Sequence, residues 1–278
     1  LIHRFFLLKE GGTALVQDGI NRSTGCGKTA RQTPPTSSLI NGISRSYITV
    51  IPTGYKADTP LPIVFAFHGR TNSNMDVARY YGVEQAAAGK SIFVYPAGLR
   101  NAANTGYTWS DAGDRAGNLR DFALFDQLLK EFSANYCIDT DKVFVVGHSL
   151  GAWFTNSLAC ARGSVIRGMG SVGGGTTIMN CSGPVAALIM HNPKDNLVPF
   201  SQGEAARDQL VRQNQCSGTS LPIEPLTLSC KAYKGCGDYA PLIWCAHHED
   251  RAYWDGSYYP HTWPRSAGKE IWKFFENL

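Results

Sequence analysis

No stretch of the chain approaches the ~18 consecutive apolar residues that a bilayer-spanning helix requires, which argues against a membrane partner. Leu1 to Leu8 is apolar but interrupted by His3 and Arg4, and position 1 is not Met. That beginning suits a trimmed or partial precursor whose secretory leader lies outside this sequence. Charge is also scarce: Asp, Glu, Lys and Arg make up 17% of 278 residues, and 26 basic against 22 acidic residues leave a net +4. The basic residues form no block, so nothing points to nucleic acid or to an acidic membrane surface. The cysteines include no C-x-x-C pair, which weighs against zinc, although Cys230, Cys236 and Cys245 lie close enough for a ligand set to be considered. Internal repeats, charge runs and interdomain linkers are lacking, so the length suits one large domain.

Eight cysteines are present, an even number that favours disulfides and an oxidising, extracellular setting. Proximity suggests Cys230 with Cys236 and Cys216 with Cys245, leaving Cys26, Cys137, Cys160 and Cys181 to pair among themselves. Two sequons, at Asn21 and Asn180, could carry glycan in a eukaryotic secretory pathway. Residues 1–38 read as a loop-rich arm pinned through Cys26, and residues 39–278 as a single domain with a stapled insertion around 214–263.

Within 39–278 strand and helix patterns alternate. Strands are expected at Ser46 to Ile51, Leu61 to Phe67, Ser91 to Tyr95, Lys142 to Val146 and Val185 to Met190, and Val165 to Val172 is an apolar segment. Helices are expected at Asp76 to Ala88, Leu119 to Asn135, Ala152 to Ala161, Gln202 to Gln213 and Ala267 to Phe275. Such alternation implies an α/β fold, a mostly parallel sheet with helices on both faces.

The pentapeptide Gly147-His148-Ser149-Leu150-Gly151 stands between an apolar β-branched run and a helical segment. G-x-S-x-G in a strand-turn-helix setting is the pattern of a nucleophile elbow in the α/β-hydrolase fold, and it nominates Ser149 to attack an acyl carbon. A serine hydroxyl needs a general base, and the base needs an orienting acid, in chain order Ser, acid, His for this fold. Asp195, in the turn beyond the strand ending at Met190, is the expected acid, ahead of Asp238, Asp250 and Asp255. His261, immediately before the last helix, is the expected base, ahead of His247 and His248. The backbone N–H groups of Leu150 and Arg70 are the expected oxyanion donors, since Arg70 follows a strand that ends in His68-Gly69.

Together with Gly25-Cys26-Gly27, Tyr95-Pro96-Ala97-Gly98, Tyr136-Cys137-Ile138-Asp139, His191 to Pro199 and His261-Thr262-Trp263-Pro264, these segments resemble carbohydrate esterase family 1. That family includes feruloyl esterases, acetylxylan esterases and poly(3-hydroxybutyrate) depolymerases. The resemblance runs from about Cys26 to the C-terminus and implies a secreted serine esterase with no metal and no cofactor. Asn192 stands where relatives often have Gly, and Arg70 where a small residue or Cys is frequent, which bears on substrate preference. A feruloyl esterase acting on plant cell-wall polysaccharide is the leading expectation, with Tyr107, Trp109, Trp153, Trp244 and Tyr259 as candidate substrate-binding aromatics and Tyr258 beside them. The alternatives are an acetylxylan esterase, a polyhydroxyalkanoate depolymerase, or a catalytically inactive binding module of the same fold.

Overall fold

A computed structural model describes residues 20–29, 33–110, 120–177, 181–224, 226–237 and 239–278. The expected acid alternative Asp238, the sequon residue Asn180 and most of the N-terminal arm lie outside these. The first half of the chain runs β1 (Ser37–Ile40), β2 (Ile43–Val50), β3 (Leu61–Phe67), α1 (Asn74–Tyr80), α2 (Val83–Ala87), β4 (Ile92–Pro96), β5 (Leu99–Arg100), β6 (Tyr107–Thr108) and α3 (Arg120–Asn135). There follow β7 (Ile138–His148), α4 (Leu150–Ala161), β8 (Gly168–Val172), β9 (Ala186–His191), α5 (Phe200–Gln213), β10 (Ser220–Pro222), β11 (Cys230–Tyr233), β12 (Leu242–Ala246) and α6 (Ala267–Glu276).

Among the described residues one sheet has the order β1-β2-β4-β3-β7-β8-β9-β12-β11-β10, and β5 with β6 forms a separate ribbon. Its centre, from β4 to β12, is parallel, and the pairs at both edges are antiparallel. The central strands are buried on both faces, and consecutive residues enter opposite layers. Ile63, Phe65 and Phe67 of β3 meet Phe125 of α3, Phe154 of α4 and Leu210 of α5 in one cluster, while Val64 and Ala66 join Val77, Val83 and Ile271 of α1, α2 and α6 in the other. The fold is therefore an α/β-hydrolase architecture, a mostly parallel sheet between two helical layers.

Two expectations are corrected here. The helix expected over Asp76 to Ala88 is two short helices, because Gly82 takes φ 71° between them. That left-handed position interrupts the helical ladder and is one that glycine adopts without strain. The cysteines pair as Cys216–Cys236 and Cys230–Cys245, with Cys26–Cys137 and Cys160–Cys181. Nearness in sequence misleads because β11 and β12 are antiparallel neighbours whose register sets Cys230 directly opposite Cys245. Residues 214–263 also contribute β10, β11 and β12, so much of the segment read as an insertion extends the main sheet.

Cys26–Cys137 closes a span of 111 residues. Around it the arm is hydrogen-bonded to the α3–β7 junction, with Ser23 N–H on the Ile138 carbonyl and Gly25 N–H on Ser133. A loop this long loses the most chain entropy when cross-linked, so Cys26→Ser/Cys137→Ser should cost about 4 to 5 kcal/mol in urea unfolding. Cys216→Ser/Cys236→Ser, closing 20 residues, should cost about 3 kcal/mol. An equal or smaller loss for the first pair would mean that the arm's hydrogen bonds hold it without the bridge.

Candidate functional site

The carboxyl ends of β3, β7, β8 and β9 converge on one edge of the sheet, where open α/β sheets place their sites. Ser149 is the single residue between β7 and α4 and holds φ 57° and ψ −124°. This backbone strain persists because the surroundings over-determine it. Its N–H bonds to the Val172 carbonyl at 3.0 Å, tying the turn to the end of β8. The flanking glycines are required by contact. A Cβ on Gly147 would stand 2.3 Å from the Gly151 carbonyl oxygen, and one on Gly151 would stand 2.2 Å from the Phe67 carbonyl oxygen. Helix α4 can thus start flush against β3.

Beyond β9, Asp195 is buried in a turn that its own side chain closes. Its Oδ1 accepts the N–H groups of Leu197 and Val198, each at 2.9 Å. Its Oδ2 lies 2.5 Å from His261 Nδ1. Burial alone would raise this carboxyl, but the His261 hydrogen bond and charge and the two backbone donors outweigh it, so the group lies below its ordinary value and stays ionised. Since an ionised carboxylate only accepts, His261 Nδ1 carries the proton of this bond, which leaves Nε2 outside it. Beneath the pair, a Cβ on Gly173 would come within 3.2 Å of the His261 ring and 3.6 Å of Asp195 Oδ2. Gly173 directly follows Val172, the residue that anchors Ser149.

Ser149 and His261 line one cleft of about 580 Å³, together with Gly69, Arg70, Asn72, Tyr80, Leu150, Trp153 and Tyr259. Among the described residues no hydrogen bond occupies the Arg70 or the Leu150 backbone N–H. The Gly69–Arg70 peptide is set by His68, whose Nδ1 donates to the Gly69 carbonyl at 2.7 Å while its Nε2 accepts Gly98 N–H at 2.9 Å. Carbonyl and N–H point oppositely across a trans peptide, so fixing the carbonyl on His68 turns the Arg70 N–H the other way. Burial lowers His68 to about 4, which keeps it neutral and able to play both parts. Trp109 Nε1 steadies the same loop through the His68 carbonyl at 2.8 Å.

Sequence reasoning overlooked a second histidine in the cleft, His148, and its partner Tyr80. His148 Nε2 lies 3.2 Å from the His261 carbonyl, and its ring stacks on the His261 ring at 5.0 Å. A carbonyl only accepts, so Nε2 bears the proton and Nδ1 receives the Tyr80 hydroxyl at 3.4 Å. Asn72 Nδ2 donates to that hydroxyl at 2.7 Å. Burial holds His148 well below and Tyr80 well above their ordinary values, so both are neutral.

The remaining candidates fall elsewhere. His247 and His248 do not line the cleft; His247 is buried behind it beside His191, and burial lowers it to about 3. Asp250 faces Lys194 and Arg251, and Asp255 caps the Ser257 N–H. Of the aromatics, Trp153 and Tyr259 line the cleft. Trp244 is 5% exposed, packed on Phe200 with Arg207 over its ring, so it cannot face a ligand in the cleft. Trp109 is buried against Phe67 and Phe154 and borders only the adjoining hollow, and Tyr107 packs between His68 and Arg100. Tyr253, Trp254 and Trp263 line the cleft instead. The run from Arg251 to Trp263 is dense in aromatics, which was a readable signal. All eight cysteines are in disulfides, so no thiolate is free for a metal.

No family model matches the chain. Feruloyl esterase D of Neurospora crassa is 30% identical over 248 residues, covering 82% of this chain and 81% of the relative. A protein named probable feruloyl esterase C, from Aspergillus terreus, is 32% identical over 217 residues, 75% of each chain. The solved acetyl xylan esterase from Aspergillus awamori aligns with a TM-score of 0.61 at 15% identity, over 83% of this chain and 94% of its own, a likeness of fold. The esterase-type α/β-hydrolase architecture and the two relatives matched over most of their length lead to one conclusion: the chain belongs to the family of the fungal feruloyl esterases C and D.

Proposed function

We propose that the protein is a secreted serine carboxylesterase that releases hydroxycinnamic acids, ferulate above all, from esters on plant cell-wall polysaccharide. The observation that carries the reading is the Asp195–His261 contact of 2.5 Å at the rim of a cleft that also holds the strained Ser149. On this reading Ser149 is the nucleophile. His261 Nε2 takes the hydroxyl proton as Oγ attacks the acyl carbon, and Asp195 holds the ring and stabilises the imidazolium. The Arg70 and Leu150 N–H groups receive the charge that develops on the acyl oxygen. His261 then hands its proton to the departing alkoxide, and water hydrolyses the acyl-enzyme by the same steps in reverse roles. Side chains and backbone supply the whole sequence of events.

The names of the 30% and 32% identical relatives support ferulate as the acyl group. So does a cleft walled by Tyr80, Trp153 and Tyr259, since flat aromatic acids favour aromatic-lined sites with few polar groups. Four disulfides favour secretion. Residues 39–278 form the catalytic domain on the same reading, with 1–38 an arm attached through Cys26.

Methyl ferulate, acetylated xylan and a short hydroxybutyrate oligomer, compared side by side, test the substrate. The expected result is a kcat/KM for methyl ferulate at least tenfold above the other two. Preference for acetate or hydroxybutyrate would reassign the acyl group while keeping the machinery. Failure to hydrolyse any of them, with no labelling by a fluorophosphonate probe, would leave an inactive binding fold.

A further inference from the structure

The chemistry proposed for Ser149 and His261 gives the cleft a direction. The acyl oxygen must lie toward the Arg70 and Leu150 N–H groups, whereas the leaving oxygen must face His261, which protonates it. The alcohol portion of the ester therefore departs on the side of His261. Three rings lead outward from that histidine. Tyr259 meets the His261 ring edge to face at 5.9 Å, Trp254 meets Tyr259 at 5.2 Å, and Tyr253 meets Trp254 at 5.0 Å. The acyl side opens differently, past Trp153 into an adjoining hollow of about 390 Å³ bounded by Phe154, Thr177 and Gln202.

Trp254 is 57% exposed and Tyr253 44% exposed, although both sit on an ordered turn. Arg251 bridges Tyr258, Ala252 N–H bonds to Ser257, and Gly256 N–H returns to Ala252. Tyr253 is also stacked on Tyr80 at 4.1 Å and 14°, which fixes its tilt. An indole held rigidly in water beside a cleft is the kind of exposed apolar surface that marks a binding site. Its occupant has to follow the leaving oxygen. A sugar ring fits the chemistry: its C–H face is apolar and lies flat on an aromatic ring, while its hydroxyl rim stays wet. Asp250 and Arg251, at the foot of the turn, supply polar groups for that rim.

We propose that Trp254, braced by Tyr253 and Tyr259, is a stacking platform for a sugar ring of the polysaccharide on the alcohol side of the ester. The proposal rests on the assignment of Ser149 and His261 above. It makes Trp254 a residue that distinguishes polymer-borne esters from simple ones.

The test compares Trp254→Ala and Trp254→Phe with the wild type on methyl ferulate and on a feruloylated arabinoxylan oligosaccharide. Loss of the ring should lower the ratio of kcat/KM for oligosaccharide over methyl ester about tenfold, mostly through KM, and Phe should restore most of it. An unchanged ratio would overturn the proposal, whether both activities fall or neither does. A second arm separates this from failure of the esterase reading: binding of an unesterified arabinoxylan oligosaccharide to Ser149→Ala, followed by calorimetry. Binding weakened at least fivefold in Ser149→Ala/Trp254→Ala supports the platform even if ferulate proves the wrong acyl group. Equal binding by the two proteins, or none by either, overturns it.

Discussion

Ser149→Ala is expected to reduce turnover by about 10⁶, leaving only the slow attack of water on an ester still polarised by the backbone donors. The fold should hardly notice. Ser149 Oγ is not among the atoms that hold the turn; its backbone N–H on Val172 does that, and alanine keeps it. A change in unfolding free energy within about 1 kcal/mol is expected, as for a small substitution that removes no packed group. Retention of more than a tenth of wild-type turnover would end the assignment.

Asp195→Asn should cost about 10⁴ in turnover. Its amide is nearly the shape of the carboxylate, so the Leu197 and Val198 N–H groups can still be accepted, but a neutral amide neither fixes the His261 tautomer nor stabilises the imidazolium. The carboxyl's folded-state value lies below the ordinary 3.8. Because that shift is downward, the stability linked to it is fully present above the unfolded carboxylate value. It is lost only as pH falls through the lower, folded value. Burial also holds His68, His148, His191 and His247 below the ordinary histidine value of 6.5, so the unfolded chain binds protons that the folded one refuses, and stability should begin to fall as pH drops below that value, before the carboxylate range is reached. An unfolding free energy that stays constant from pH 6.5 down to 3.8 would contradict this ordering, and near-wild-type turnover in Asp195→Asn would move the acid elsewhere.

Much of the architecture could be read from periodicity because the central strands are buried on both faces and so appear as unbroken apolar runs: Leu61 to Phe67 was expected and observed with the same limits. Strand β7 is longer than its apolar run: Ile138 pairs with Leu61 and Val143 with Ile63, a register shift that no hydrophobic pattern marks, while Asp139 bridges Arg22. Strand β10, at the edge, and β11 beside it do not show in the sequence because short half-exposed strands carry no such run. In the site, chain order and the position just before α6 singled out His261, and the geometry brings it to Asp195. The neutral His148–Tyr80 pair was invisible in sequence. Nothing about a histidine between two glycine-flanked positions tells that its ring will stack on another 113 residues away.

The contact between Gly151 and the Phe67 carbonyl sets more than the packing of α4. Strands β3 and β7 are hydrogen-bonded neighbours, and the Arg70 and Leu150 N–H groups extend from their ends. On the reading proposed above, the spacing of these two N–H groups follows from the pairing of β3 with β7 and from a backbone approach that no side chain can adjust. On that reading a catalytic dimension is inherited from main-chain geometry. Even one methyl at Gly151, 2.2 Å from the Phe67 carbonyl oxygen, would act as a wedge between the start of α4 and the end of β3.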